Sequence, residues 1–196
     1  VLGYSSSQVG GVWPQSYMNK AASLGLTDGV KAGYNDTITR AQAAQLFVNA
    51  LSCKTGGGSA YYSTLGTVSD GAVLLAVNVR SDDGEYDSAV RTSEGTYLPH
   101  AEGVKPTGLQ GKRGALVVND KKELVTFVPD DSSSVTLTLS GSAQPSYVKG
   151  TDGKQYAVSS STPVYTSDKT ESSTYLTKYA ELTSGTQITL FSERGK

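Results

Sequence analysis

The sequence predicts an α+β protein in which a short helical hairpin is followed by an all-β domain of barrel or sandwich type. Three observations carry this prediction. Apolar residues recur at helical spacing between residues 14 and 52, and from Ala60 onward they alternate with polar residues. A run rich in glycine and serine, Lys54 to Ser59, separates the two patterns and is typical of a flexible linker. We therefore predict a helical part at 1–53, a linker at 54–62 and an all-β domain at 63–196.

The first helix is predicted over about residues 14–24. Pro14 suits the first turn of a helix, because its missing N–H has no intrahelical partner there. Tyr17, Ala21 and Leu24 follow at intervals of four and three residues, which places them on one face. Gly25 is well suited to end the helix in a left-handed conformation.

The second helix is predicted over about residues 40–52. Thr39 and Gln42 have the spacing of a capping box, in which each side chain binds the backbone N–H of the other residue. Ile38 precedes the cap and is placed to pack on Ala43 as a hydrophobic staple. The helix start is therefore encoded locally.

The apolar face of the second helix is predicted to contain Ala43, Phe47 and Ala50, with Leu46 and Leu51 beside them. Two helices of this length cannot bury such faces against each other alone. We therefore expect the helical part to self-associate as a dimer or trimer.

The second part of the chain has the alternation and the turn signals of antiparallel β-structure. Two apolar runs flank Asp120–Lys122 and predict a hairpin, and Asp152–Gly153 is the turn signal of another. Strands are predicted at residues 72–79, 86–92, 95–97, 115–119, 124–128, 135–140, 147–148, 155–158, 164–165 and 187–191.

A weak internal repeat suggests that the β domain consists of two related small units. The segment Thr92–Tyr97 is followed by Gly111, and Thr151–Tyr156 is followed by Gly185. In both copies a leucine stands five residues after the later glycine. Chance similarity in a region rich in glycine and threonine is the alternative.

Composition excludes several classes of function. The net charge of −1 gives no electrostatic basis for nucleic-acid binding, and no apolar run is long enough to span a membrane. The single cysteine, Cys53, excludes an internal disulfide, and with the single histidine, His100, it leaves too few ligands for zinc. No nucleophile motif surrounds His100, so we predict no catalytic residue, no metal and no cofactor.

The stretch Ile38-Thr39-Arg40-Ala41-Gln42 resembles the hallmark of S-layer homology domains, which anchor surface proteins of Gram-positive-type bacteria to the cell wall. The upstream residues follow the order of that family, and the resemblance covers about residues 10–52. These upstream residues are Trp13-Pro14, Tyr17, Ala21, Leu24-Gly25-Leu26 and Gly29.

The resemblance implies a non-enzymatic, extracellular protein that binds secondary cell-wall polysaccharide non-covalently. In the family a pyruvylated sugar enters a groove between adjacent repeats, where the arginine of the motif meets the carboxylate. A carboxylate at a helix N-terminus also suits the open N–H groups there. Carried over, the ligand-binding residues are Arg40, Thr39, Gln42, Trp13, and the backbone of Leu24 and Gly25.

Other interpretations stay open for the cap and for the β domain. Helix capping explains Thr39 and Gln42 without any ligand. The β domain is a spacer, display or assembly module in the leading interpretation. In the second interpretation, the β domain is an adhesion or carbohydrate-binding module, and an exposed cluster of tyrosines would favour this interpretation. In the third, it belongs to a wall-anchored glycoside hydrolase, which requires two facing carboxylates.

Overall fold

The computed structural model describes residues 2–33, 35–102, 104–130, 134–166, 176–177 and 179–192. The α+β class is confirmed, because helices come first and a largely antiparallel β region follows. The helices are α1 (Ser6–Val9), α2 (Gln15–Ser23) and α3 (Arg40–Ser52), and two 3-10 helices lie at Tyr61–Thr64 and Tyr179–Glu181.

The strands agree with most of the predicted positions. A five-stranded sheet has the order β3-β2-β1-β4-β5, and β6 pairs with β11, β7 with β8 and β9 with β10. The strands are β1 (Thr67–Val79), β2 (Ala89–Thr92), β3 (Gly95–Tyr97), β4 (Arg113–Val118), β5 (Leu124–Pro129), β6 (Ser134–Thr138), β7 (Tyr147–Lys149), β8 (Gln155–Ala157), β9 (Val164–Tyr165), β10 (Leu176–Thr177) and β11 (Gln187–Phe191).

Of the two predicted architectures for the β domain, barrel or sandwich, a closed barrel is not formed within the residues that the structure describes. The two edge strands of the large sheet, β3 and β5, form no ladder with each other, although one parallel bridge joins Pro99, just after β3, to Leu124 in β5. β3 has three residues, and β5 ends at Pro129, which has no N–H to donate to another strand. This single bridge does not close the sheet into a barrel.

The chain divides into two compact units, which we call the helical unit and the β unit. The helical unit comprises Val1–Val68 with Val117–Asp120, and the β unit comprises Ser69–Leu116 with Lys121–Lys196. The boundary between the two units falls inside β1, and not in the glycine-rich segment where the linker was predicted.

The segment predicted as a flexible linker is hydrogen-bonded within the helical unit. Thr55 N–H donates to the Ser59 carbonyl at 2.7 Å, and Gly56 N–H donates to the Leu2 carbonyl at 2.8 Å. A Cβ atom at Gly56 would lie 2.4 Å from the Gly3 oxygen, so only glycine fits there. The glycine therefore permits close backbone packing.

In the first predicted copy of the repeat, three backbone hydrogen bonds fix a turn onto β1. Gly111 N–H donates to Leu74 O at 2.7 Å, and Leu74 N–H donates to Lys112 O at 2.9 Å. Ser93 N–H donates to Val73 O at 2.8 Å. Gly111 has φ +79, a conformation that favours glycine.

The second copy makes two of these bonds with the corresponding residues and a third that is shifted by one residue, since Thr151 corresponds to Thr92 in the predicted repeat and not to Ser93. Gly185 N–H donates to Leu139 O at 2.8 Å, and Leu139 N–H donates to Thr186 O at 2.9 Å. Thr151 N–H donates to Thr138 O at 2.9 Å, and Gly185 has φ +84. The shared bonding supports the hypothesis of two related β units.

Two apolar clusters of the β unit are made up of described residues. One consists of Leu75, Ala76, Val79 and Ala89. The other is larger, and Tyr179 closes it by donating its hydroxyl to the carbonyls of Gln144 at 2.7 Å and Tyr147 at 3.1 Å. Its buried members are Leu137, Leu139, Val148, Tyr179 and Leu182.

Candidate functional site

The capping box predicted at the start of α3 is confirmed. Thr39 has an extended backbone, and its Oγ1 accepts the Gln42 N–H at 3.2 Å. The Gln42 Oε1 accepts the Thr39 N–H at 2.8 Å. The Gln42 amide also donates to the Lys31 carbonyl at 3.2 Å, so Gln42 joins the cap to the preceding loop.

Arg40 is the first residue of α3, and its side chain is exposed. It makes no hydrogen bond or ion pair with any residue that the structure describes. The first turn of α3 contains no acidic side chain to offset the positive end of the helix dipole. This end of the helix therefore combines a cation with N–H groups that favour an anion.

The loop that precedes α3 runs along the helix and is held by polar side chains one turn apart. The Asn49 amide donates to the carbonyls of Leu26 at 2.9 Å and Asp28 at 2.7 Å. The Gln45 amide donates to Asn49 Oδ1 at 2.8 Å, which fixes the Asn49 orientation. These side chains satisfy loop carbonyls that would otherwise need water.

Cys53 holds the other end of this loop. Its thiol is 3% exposed and donates to Leu24 O at 3.2 Å and to Asn49 O at 3.3 Å. Burial, and secondarily the negative charge of Asp28, raises the pKa of the thiol. Cys53 is therefore a neutral hydrogen-bond donor at neutral pH.

The structure places Leu24 and Gly25 at the opposite end of α3 from Arg40. Leu24 O is bound to the Cys53 thiol, and Gly25 has φ +74 and donates to Ala22 O at 3.0 Å. Since α3 has 13 residues, its two ends lie ~20 Å apart. Within one repeat, these two parts of the predicted site do not meet.

Trp13 is 72% exposed and makes an edge-to-face contact with Tyr17, with the ring centroids 5.0 Å apart. Phe47, predicted on the apolar face of α3, is likewise 72% exposed within one chain. Gln45 and Asn49 lie on the face of α3 that contacts the preceding loop, and Phe47 does not lie on that face. Among the described residues of the helical unit, the exposed large apolar ones are Val12, Trp13, Tyr17, Ile38, Phe47 and Val48.

The described residues of the β unit contain no exposed cluster of tyrosines of the kind that would favour stacking on sugars. Among its described residues, Tyr86 is the one exposed tyrosine, and it lies in the turn before β2. No three His, Cys, Asp or Glu side chains in the described ranges are placed to hold a metal ion. None of the described helices combines the length and apolar character needed to cross a membrane.

Comparison with known proteins gives no family model, no curated protein and no solved structure that matches this chain.

Sequence reasoning missed α1 and the role of Asn49. The signal for α1 was present, because Ser5 and Gln8 form a second capping box. The signal for Asn49 was the recurrence of Gln42, Gln45 and Asn49 on α3, which a purely apolar pattern treats as a solvent-facing stripe.

Proposed function

We propose that the helical unit binds an acidic cell-wall polysaccharide and so anchors an extracellular protein, as its resemblance to S-layer homology domains implies. The observation that carries this proposal is the start of α3. Arg40 lies there, exposed, beside the N–H groups of a capped helix. A ketal carboxylate of a pyruvylated sugar fits this combination, because guanidinium–carboxylate hydrogen bonds are charge-assisted.

The roles of the remaining predicted residues differ. Thr39 and Gln42 are engaged in the cap and orient the first turn, although the Thr39 hydroxyl hydrogen is not used in accepting the Gln42 N–H. Trp13 offers an exposed ring against which a sugar face can stack. Together these residues would recognise one acidic sugar unit.

Leu24 and Gly25 would contact a ligand through a neighbouring repeat. The ~20 Å between the ends of α3 separates them from Arg40 of the same repeat. A second repeat, covering the exposed apolar residues, would bring its own Leu24–Gly25 end toward Arg40. On this proposal, the sugar lies between two repeats.

In this proposal the β unit is a non-enzymatic spacer, display or assembly module. Two apolar clusters of the β unit consist of residues from that unit. His100 is paired with Glu123 at 2.9 Å, and both side chains are partly exposed. A wall-anchored glycoside hydrolase remains the competing proposal, and two facing carboxylates in a cleft would favour it.

The test is sedimentation of the protein with purified wall sacculi, before and after chemical removal of the secondary polymer. Arg40→Ala should weaken retention about tenfold or more, because it removes a charge-assisted hydrogen bond. Lys154→Ala is the matched control, since it removes one exposed positive charge from the turn between β7 and β8.

Retention that needs both the polymer and Arg40 would support the proposal. Retention of wild type and Arg40→Ala to the same extent would move binding to the β unit. Loss of binding by the Lys154→Ala control as well would show that general charge, and not the α3 site, drives adhesion.

A further inference from the structure

Within the described residues, β11 has one covered edge and one uncovered edge. It pairs with β6 along its whole length, and no other described strand pairs with it. Ile188 and Leu190 direct their side chains into the larger apolar cluster, whereas the side chains of Gln187 and Thr189 are exposed. One face of β11 is therefore fixed by burial, and one of its edges is open to another strand.

The backbone groups at the uncovered edge follow from the hydrogen bonds that join β11 to β6. Leu139 N–H donates to Thr186 O at 2.9 Å, so these two residues form a hydrogen-bonded pair just before β11. Hydrogen-bonded and non-hydrogen-bonded pairs alternate along an antiparallel ladder. The N–H and carbonyl groups of alternate residues therefore point away from β6, and these residues are Gln187, Thr189 and Phe191.

The first copy of the repeat shows what covers the corresponding edge there. Gly185 corresponds to Gly111, so β11 corresponds to β4, which pairs with β1 on one edge and with β5 on the other. The carbonyl of Arg113, the residue that corresponds to Gln187, accepts the Asp130 N–H at 2.8 Å. The connection between β4 and β5 is too short for a parallel crossover. The repeat therefore accommodates an antiparallel strand at this edge.

The sequence of β11 lacks the features that protect an edge strand from pairing with another chain. Protected edges are short, or they carry proline or charged side chains. Among the other described edge strands, β3 and β8 have three residues each, and β5 ends at Pro129. β11 has five residues, Gln-Ile-Thr-Leu-Phe, with neither proline nor charge. Its open edge is therefore suited to pairing.

We propose that β11 pairs with β11 of a second copy of this chain, antiparallel and about a two-fold axis at Thr189. The residues whose backbone groups point outward are placed symmetrically about Thr189. In this register Thr189 lies opposite Thr189 of the second copy, and Gln187 lies opposite Phe191. Every outward N–H and carbonyl of β11 then has a partner, so the edge is self-complementary. This surface lies wholly in the β unit and does not rest on the site at α3.

The experiment is hydrogen exchange of the full chain, followed residue by residue by NMR at micromolar and at millimolar protein concentration. Protection of the Gln187 and Thr189 amides should rise about tenfold or more with concentration, because pairing gives these N–H groups an acceptor. The Ile188 amide faces β6 and should change much less. Self-association through the helical unit would not separate these neighbouring amides in this way.

Thr189→Lys places like charges ~5.5 Å apart across the proposed axis, and it should weaken dimerisation about tenfold or more. Thr136→Lys is the matched control, because it removes the same hydroxyl contact between Thr136 and Thr189 and adds the same charge on the same face. In the proposed dimer the two copies of that control position lie three strand spacings apart, ~14 Å, which exceeds the Debye length at physiological salt. Protection of the Gln187 amide reports dimerisation in both variants.

Concentration-dependent protection of Gln187 that Thr189→Lys lowers and Thr136→Lys preserves would support the proposal. Exchange of the Gln187 and Thr189 amides at the same rate at every concentration would overturn it. Equal losses in the two variants would also overturn it, because they would trace the effect to the hydroxyl contact or to net charge. Protection that requires an added peptide with the sequence of residues 124–129 would make the edge a site for a foreign strand, and this result too would overturn the pairing of two copies.

Discussion

The helical segment and the β segment differ sharply in how they use their apolar residues. Within residues 2–66 the described hydrophobic residues that are buried are Ala50 and Cys53, both small. From residue 67 onward, leucine and valine side chains are buried completely, among them Leu74, Leu116 and Leu139. In contrast, six of the eight exposed large hydrophobic residues in the described part of the chain lie between Val12 and Val48.

This contrast shows which segment can account for its own stability. Fully buried aliphatic side chains contribute roughly 1.5–3 kcal/mol each, so the β segment has an ample source of free energy. The helical segment relies on caps, on the Asn49 bonds to loop carbonyls and on contacts of residues 2–8 with residues 54–56. A small core together with exposed apolar residues is typical of a segment whose apolar surface is covered by a partner.

The largest expected effect comes from a pair of substitutions, one in each segment. Leu139→Ala should lower the free energy of unfolding by about 2–5 kcal/mol, because it leaves a cavity in the larger cluster. Phe47→Ala should change it by no more than about 0.5 kcal/mol, because the ring is 72% exposed. Urea denaturation at low protein concentration measures both.

Leu139 is a clean position for this comparison, because its two backbone bonds, to Thr186 O and from Gly185 N–H, survive truncation to alanine. A cost for Phe47→Ala as large as that for Leu139→Ala would contradict the contrast. It would mean that Phe47 is buried within the monomer in solution.

A second prediction concerns self-association through the exposed apolar residues. Solution scattering at high concentration should give a mass above that of one chain, and Phe47→Asp should weaken the association about tenfold or more. Asn19→Asp adds the same charge on exposed α2 without removing an apolar side chain, and it should leave the mass unchanged. A monomeric mass for the wild type at every concentration would refute the prediction.

Local chemistry made much of the fold predictable from the sequence. The start of α3 follows from Thr39 and Gln42, and the β7–β8 hairpin follows from Asp152–Gly153, where Gly153 has φ +82. The repeat hypothesis was also based on glycines in turns, and those glycines make equivalent bonds in both copies. In each case the residues that encode the feature are close in sequence.

What the sequence did not predict depends on residues far apart in the chain. Periodicity groups the apolar residues of α3 on one face, but it does not reveal that Asn49 binds the carbonyls of the preceding loop. The separation of Leu24 from Arg40 depends on how the loop runs along α3. The hydroxyl contact across the β6–β11 pair requires Thr136 to lie opposite Thr189, 53 positions later.

The smallest expected effect is the pH dependence of the helical segment. Burial raises the pKa of the Cys53 thiol in the folded state, so the unfolded state releases this proton at lower pH than the folded state does. The stabilisation is therefore fully present below the unfolded pKa of about 8.5 and is lost as pH rises through the folded pKa. Hydrogen exchange of the α3 amides, measured from pH 7 to pH 10 and corrected for intrinsic rates, reports this loss.

Cys53→Ser provides the matched variant for that measurement. A serine hydroxyl can donate to Leu24 O and Asn49 O, as the thiol does, but it does not ionise in this range. Protection of α3 should therefore fall with pH more steeply in the wild type than in Cys53→Ser, while the amides of β1 should behave alike in both proteins. Parallel pH profiles for α3 in the two proteins would show that burial does not hold the thiol neutral. Cys53 would then be more accessible in solution than its 3% exposure indicates.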